Sequence, residues 1–256
     1  MQILLSCSKN MTADIDMSII PFTSHPTNEK EASQIAFYMA QRSVRDLEDI
    51  LRVNSKLALE NQERYQVFHA EETKQYPALF AYSGIVFKHI DAVNFSKEEF
   101  EFAQSHLRLT SFLYGLLRPL DLIKLYRMEG NVVLTELGGE SMFAYWKKIL
   151  TSQFIDDIAK GGNILFNLAS GEMKNLFSWK EVKKSADRII TPEFKVWKDG
   201  KYKTIVVYTK MCRGEMTKYI IKNKIEDPEE LKAFEWEGFK FNDILSKGDN
   251  WVFTLD

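Results

Sequence analysis

The sequence predicts a mixed α/β (α+β) protein of a single domain, a mixed β-sheet core surrounded by helices, and three observations lead to that expectation. An amphipathic run over Ser141–Lys160 is stopped by Gly161-Gly162 and followed at once by the apolar run Asn163–Leu168, the helix-to-strand succession of layered α/β folds. Asp199-Gly200, lying between Glu193–Lys198 and Lys201–Tyr208, is a pair favoured in two-residue type I′ hairpins. The 256 residues, 45% apolar and 13% aromatic, suffice for one substantial core, and no break in composition marks a second unit, so 1–256 reads as one domain.

Taken in order, Gln2–Ser6 is long enough for a buried strand and ends in the polar Ser6-Cys7-Ser8-Lys9, the kind of strand end over which ligands sit in α/β sheets. Asp14–Asn28 holds Pro21 and Pro26 and reads as a connection. Asn28 with Glu31 is placed to cap a helix whose stripe is Ala32, Ile35 and Met39, ending near Gln41. Ser43 caps a second helix and Ser55 a third, joined by Arg52-Val53-Asn54. This pair, within 43–68, is a helix-hairpin-helix candidate: backbone N–H groups left free at a helix start can meet a phosphate, with Asn54 in a left-handed turn and Lys56 adding charge. The glycines usual in such hairpins are missing, and plain helix packing is the alternative.

Tyr76–Ile90 reads as a strand or irregular packed segment. Ser96 and Glu99 form a capping box for a helix over about 97–106. Leu107, Leu109, Ser111 and Leu113 then alternate with Arg108, Thr110 and Phe112, which predicts a strand that Gly115 ends. Val132–Leu137 is a further strand candidate. The second hairpin strand is expected to run out toward Lys210 and Arg213, with a helix from about Gly214 placing Lys218 and Lys222 one turn apart. Asp227-Pro228 starts the last helix, and Trp251–Leu255 closes the fold as a strand.

Composition excludes several functions. The N-terminus lacks the basic flank of a signal peptide and nothing approaches membrane-spanning length, so a cytoplasmic protein with no membrane partner is expected. Two isolated cysteines, Cys7 and Cys212, form no CxxC, although Cys7 lies two residues from Lys9 and is placed to have a lowered pKa. His25, His69, His89 and His106 show no metal-ligand spacing, and there is no Walker loop, dinucleotide loop or nucleophile elbow. No metal and no cofactor is expected. Net charge is only −2, yet residues 172–224 hold fourteen Lys or Arg against six acids, and 225–256 hold nine acids against three bases. That polarity suits a polyanion, and a solvated lysine-rich hairpin explains it equally.

The most charged interruption of an apolar stretch contains Arg118, Asp121, Arg127 and Glu129, read either as structural ion pairs or as part of a site. Here FAQSHLRLTSFLYGLLRPLDL followed by YRME resembles the signature of the YaaA peroxide-stress family, and SCSKNM, NLASGE and YTKMCRGEMTKYII resemble its other motifs in order over nearly the whole chain. The chain departs from the family pattern at Cys7, Ile85, Phe87, Gly171 and Met173. The resemblance implies an intracellular protein of the hydrogen peroxide response, associated with lowering unincorporated iron and with binding DNA, its sheet core lying in a rind of helices with a helix-hairpin-helix element.

The candidate site is one anion-binding cleft made by Lys9, Arg118, Arg127, Lys210 and Arg213 with Glu129 and Glu172 among them, lined further by Ser6, Ser170 and Tyr114, while Asn54, Lys56 and Lys218 add DNA contacts. Two functions follow: a monomer binding double-stranded DNA through its backbone, or an enzyme acting on a nucleotide or nucleic-acid substrate in the same cleft, its catalytic residues unassigned. Direct iron storage is disfavoured by the ligand spacing.

Overall fold

The computed structural model describes residues 1–256 and shows the mixed α/β architecture. The main sheet contains β1 (Gln2–Leu5), β2 (Leu107–Ser111), β3 (Gly115–Leu117), β4 (Ile164–Asn167) and β5 (Arg188–Ile190) in the order β5-β4-β1-β2-β3. Only β3 runs antiparallel. β1 is central, pairing Ile3 with both Phe166 and Leu107, and all its residues are buried, as a strand covered on both faces must be. A second sheet, order β7-β6-β9-β8, comprises β6 (Glu193–Lys198), β7 (Lys201–Lys203), β8 (Lys240–Phe241) and β9 (Val252–Leu255). Asp199 and Gly200 have φ of 54° and 76°, the two left-handed conformations of a type I′ turn.

The α-helices of six residues or more are α1 (Glu29–Ala40), α2 (Val44–Leu51), α3 (Ser55–Gln66), α4 (Ile85–Ile90), α5 (Lys97–His106), α6 (Met142–Lys160), α7 (Trp179–Ser185) and α8 (Val206–Asn223). Ser96 and Glu99 form both bonds of the expected capping box. Ser43 does the same with Asp46. Asn28, in contrast, makes no cap bond; its amide pairs with Gln153 and reaches Tyr114 O. The cap of α3 is Asn54, not Ser55, accepting from Leu57 N–H at 3.0 Å. The left-handed residue of the α2–α3 turn is Arg52, at φ 53°, while Asn54 is extended.

One expectation is overturned. Residues 206–208 belong to no strand: a single helix runs from Val206 to Asn223, so Lys210 and Arg213 lie on a helix face rather than at a strand end. Their β-branched neighbours favour a strand locally, but Cys212, Met216, Ile220 and Ile221 recur at helical spacing and are all buried, and that burial outweighs local preference. β2 forms where the alternation predicts a strand, and all five of its residues are buried. Arg108 is 9% exposed and grips Asp157 of α6 through Nε to Oδ2 at 2.7 Å and Nη2 to Oδ1 at 3.1 Å. Its Nη1 donates to the carbonyls of Gln104, Ser105 and Leu107, so a buried cation is fully satisfied. In addition, 132–137 is only partly strand, Val133–Leu134 being followed by a 3₁₀ turn, and the last helix is a 3₁₀ turn, Pro228–Ala233.

Sixty-one buried apolar residues form one continuous core. No helix is long and apolar enough to cross a membrane. The placement of α8 depends on Gly214, where a Cβ would lie 2.4 Å from Val86 O and 2.6 Å from His89 Cβ of α4. Gly214→Ala is therefore expected to push α8 off α4 at a cost of about 1–3 kcal/mol, read as a lower urea midpoint.

Candidate functional site

The carboxyl ends of β1 and β4 lie side by side because the strands are parallel neighbours, and their following loops are tied together: Ser170 N–H donates to Ser6 Oγ at 2.8 Å, and Ser6 Oγ lies 3.3 Å from Ser170 Oγ. Cys7 N–H donates to Thr110 Oγ1 of β2 at 3.1 Å. Ser8 Oγ bonds Ser83 O, and Asn10 pairs with Ser83, which carries the β1 loop across to the start of α4. The loops, α4 and α8 border an open cleft of about 530 Å³. Its polar lining includes Lys9, Arg127, Glu172, Lys210 and Arg213; its apolar lining includes Ile85, Phe87, Phe112, Tyr126 and Met173.

A second cavity of about 380 Å³ shares Lys9, Phe112, Arg127 and Glu172 with the first and reaches Ile50, Leu51 and Arg52 at the α2–α3 turn. The two form one groove from that turn to α8. Glu129 stands at its middle, 2.7 Å from Lys9 Nζ and 3.0 Å from Arg127 Nη2, and partly neutralises both cations. Arg213 has neither an ion pair nor a side-chain hydrogen bond, and burial lowers its pKa from the ordinary arginine value. Lys210, one turn before it and exposed, forms no ion pair, and neither does the exposed Glu172. Arg127 Nε and Arg213 Nε are the only buried side-chain nitrogen or oxygen atoms in the protein without a partner, and both residues line the cleft.

The structure thus brings together Lys9, Arg127, Lys210, Arg213, Glu129 and Glu172, with Ser6 and Ser170 in the lining. It does not bring Arg118. That guanidinium holds Asp121 through Nε at 3.1 Å and Nη2 at 2.8 Å, and Nη2 also donates to His25 O. Asp121, its side chain 1% exposed, accepts from Ser24 Oγ as well, so this is a structural pair pinning the Ser24 segment. The reason is local: Asp121 follows Arg118 by one turn-length and captures it before any distant partner can. Tyr114 is buried away from this cleft and donates no group to it; Lys218 faces Asp91 and Glu215. Asn54 spends its side chain on the α3 cap, and Lys56 is exposed.

Sequence reasoning missed the apolar half of the cleft. Ile85 and Phe87 come from a segment whose packing only the fold defines, whereas Tyr126, adjacent to Arg127, was within reach of inspection. Tyr126 OH lies 2.6 Å from both Tyr82 OH and Ser111 Oγ, and burial keeps it protonated by raising its pKa well above the ordinary value. Cys7 is likewise corrected: burial pushes its thiol up from 9.0 to about 12, and the nearby Lys9 is engaged by Glu129 instead of by a thiolate. No three His, Cys, Asp or Glu side chains converge as metal ligands.

Fold and cleft together define a class: a mixed α/β protein with a cationic groove across the carboxyl ends of parallel strands. The chain belongs to the family described as peroxide stress protein YaaA, which matches residues 1–245. It is 58% identical over 253 residues to a UPF0246 protein of Bacteroides thetaiotaomicron, covering 99% of this chain and 98% of that protein. It is also 40% identical over 257 residues to a UPF0246 protein of Porphyromonas gingivalis, covering 100% of both chains, and 38% identical over 259 residues to one of Teredinibacter turnerae, covering 99% of each. Membership supports a role in peroxide stress. Cys7, Ile85, Phe87 and Met173 all line the cleft.

Arg118→Ala is expected to strand a buried carboxylate and cost about 1–3 kcal/mol while leaving anion binding in the cleft unchanged, checked by urea unfolding beside phosphate titration. The two thiols should not act as peroxidatic groups. Both titrate near 12 in the folded chain against 9.0 ordinarily, so the stability they contribute is full below pH 9 and is lost as pH rises toward 12. A Cys7→Ala, Cys212→Ala double variant is expected to retain peroxide protection in a cell survival assay, and the folded protein to resist alkylation at neutral pH.

Proposed function

We propose that the protein serves in the cytoplasm during hydrogen peroxide stress, binding double-stranded DNA as a monomer through backbone contacts along the groove and helping to limit damage from unincorporated iron. The observation behind this reading is the pair of partnerless buried guanidinium nitrogens, Arg127 Nε and Arg213 Nε, in one groove. An unpaired buried donor costs free energy, and a phosphate oxygen is the partner whose geometry a guanidinium fits. The groove's continuity with the α2–α3 turn supports engagement of a strand rather than of an isolated ion. At that turn the N–H groups of Ser55 and Lys56 make no hydrogen bond, Lys56 is exposed and forms no ion pair, and the start of α3 favours an anion. In this reading the turn acts as a helix-hairpin-helix, and the effect on iron damage comes from shielding DNA rather than from holding metal.

A second reading, an enzyme acting on a nucleotide or nucleic-acid substrate, is favoured by one observation: the cleft lies where β1 and β4 end, the usual ligand position in α/β sheets. A product assay on any bound oligonucleotide separates the two.

Duplex affinity should fall with salt, each phosphate contact adding about 0.9 to the log–log slope. Lys56→Ala and Lys210→Ala should each weaken all sequences alike and reduce the slope by about 1. A variant that changed sequence preference with the slope intact would refute the assignment.

A further inference from the structure

We propose that the larger cavity of the groove is a nucleotide pocket, taking one unstacked 5′-phosphorylated nucleoside with its phosphate on Arg213 and Lys210 and its base against Ile85, Phe87, Phe112 and Met173. This deepens the anion-binding reading of the same cleft and rests on it. The phosphate end is assigned by elimination among the cations. Lys9 and Arg127 already share Glu129, whereas Arg213 and Lys210, one turn apart on α8, hold no carboxylate at all.

The rest of the cavity explains why the ligand is more than a phosphate. About 530 Å³ lies within the range of roughly 300–1,000 Å³ typical of small-molecule pockets, far more than a bare tetrahedral anion fills. Half of its twenty lining residues are hydrophobic, and Phe112 and Phe87 are aromatic. A wall of that kind is matched by a base, whose faces are apolar and stack on aromatic rings. Glu172, exposed and without an ion pair, is left as an acceptor for a ribose hydroxyl or exocyclic amine of the same ligand. The faces of a base held in a stack are covered by its neighbours, so to lay a base against this wall a strand must deliver an unpaired or extruded nucleotide. The second cavity, which opens from the first past Lys9 and Arg127 toward Arg52, provides the exit for the strand on one side. A free mononucleotide satisfies the same chemistry, and the experiment separates the two sources.

Calorimetric titration of the full chain with adenosine 5′-monophosphate, adenosine and inorganic phosphate tests the pocket. The mononucleotide should bind at least tenfold tighter than either part alone. Arg213→Ala should weaken it at least tenfold, and Lys210→Ala, at an exposed position that leaves folding untouched, should weaken it several-fold. Ile85→Trp, which fills the apolar side, should abolish mononucleotide binding and retain phosphate binding. A duplex carrying one unpaired 2-aminopurine should change its fluorescence on binding wild type and not Ile85→Trp; if it does not while the mononucleotide still binds, the ligand is the free nucleotide. Equal affinity for phosphate and mononucleotide, or mononucleotide binding untouched by Ile85→Trp, overturns the nucleotide pocket alone. No binding of phosphate or mononucleotide overturns the anion-binding reading with it.

Discussion

The groove depends on the parallel pairing of β1 with β2 on one side and β4 on the other. Residues 2–5 meet partners more than 100 and more than 160 positions away, and because the three strands run in one direction their following loops emerge at one edge of the sheet. Every polar group in those loops, from Ser6 to Lys9 and from Ser170 to Glu172, is thereby delivered to a common place. The Ser6–Ser170 and Cys7–Thr110 bonds then fix the loops against each other.

Three arginines show how the same side chain is put to different uses. Arg108 is buried with its donors satisfied by Asp157 and three carbonyls, an arrangement that ties α6 to the sheet. Arg118 is held by an acid three residues away and closes a local turn. Arg213 is half-buried against α4 with no partner, and the close approach at Gly214 keeps α8 where the guanidinium faces the cleft. A desolvated, unpaired cation destabilises the free protein, and it is the group with most to gain from a bound anion.

Much of the fold was legible because it rests on local chemistry. The 97–106 helix, the Ser141-capped helix and the Asp199-Gly200 hairpin are each specified by capping residues, apolar period or turn residues within a few positions. Where local preference and distant burial disagreed, the local reading failed: residues 206–208 carry strand-favouring side chains and form the start of a helix. The candidate site divides in the same way. Its loop residues Lys9, Arg127 and Glu172 announce themselves as polar breaks after apolar runs, but nothing local distinguishes them from Arg118.

The sequence by itself determined the mixed α/β class, most helix and strand positions, the family, and a set of cations available for an anion. Only the tertiary structure decided which of them converge, excluding Arg118 and Lys218 and leaving Arg213 unpaired, and it alone revealed the apolar wall from α4. The reason is physical. Capping, periodicity and turn formation depend on atoms a few residues apart, whereas the pairing of a charge or the lining of a cavity depends on which surfaces the buried core forces together.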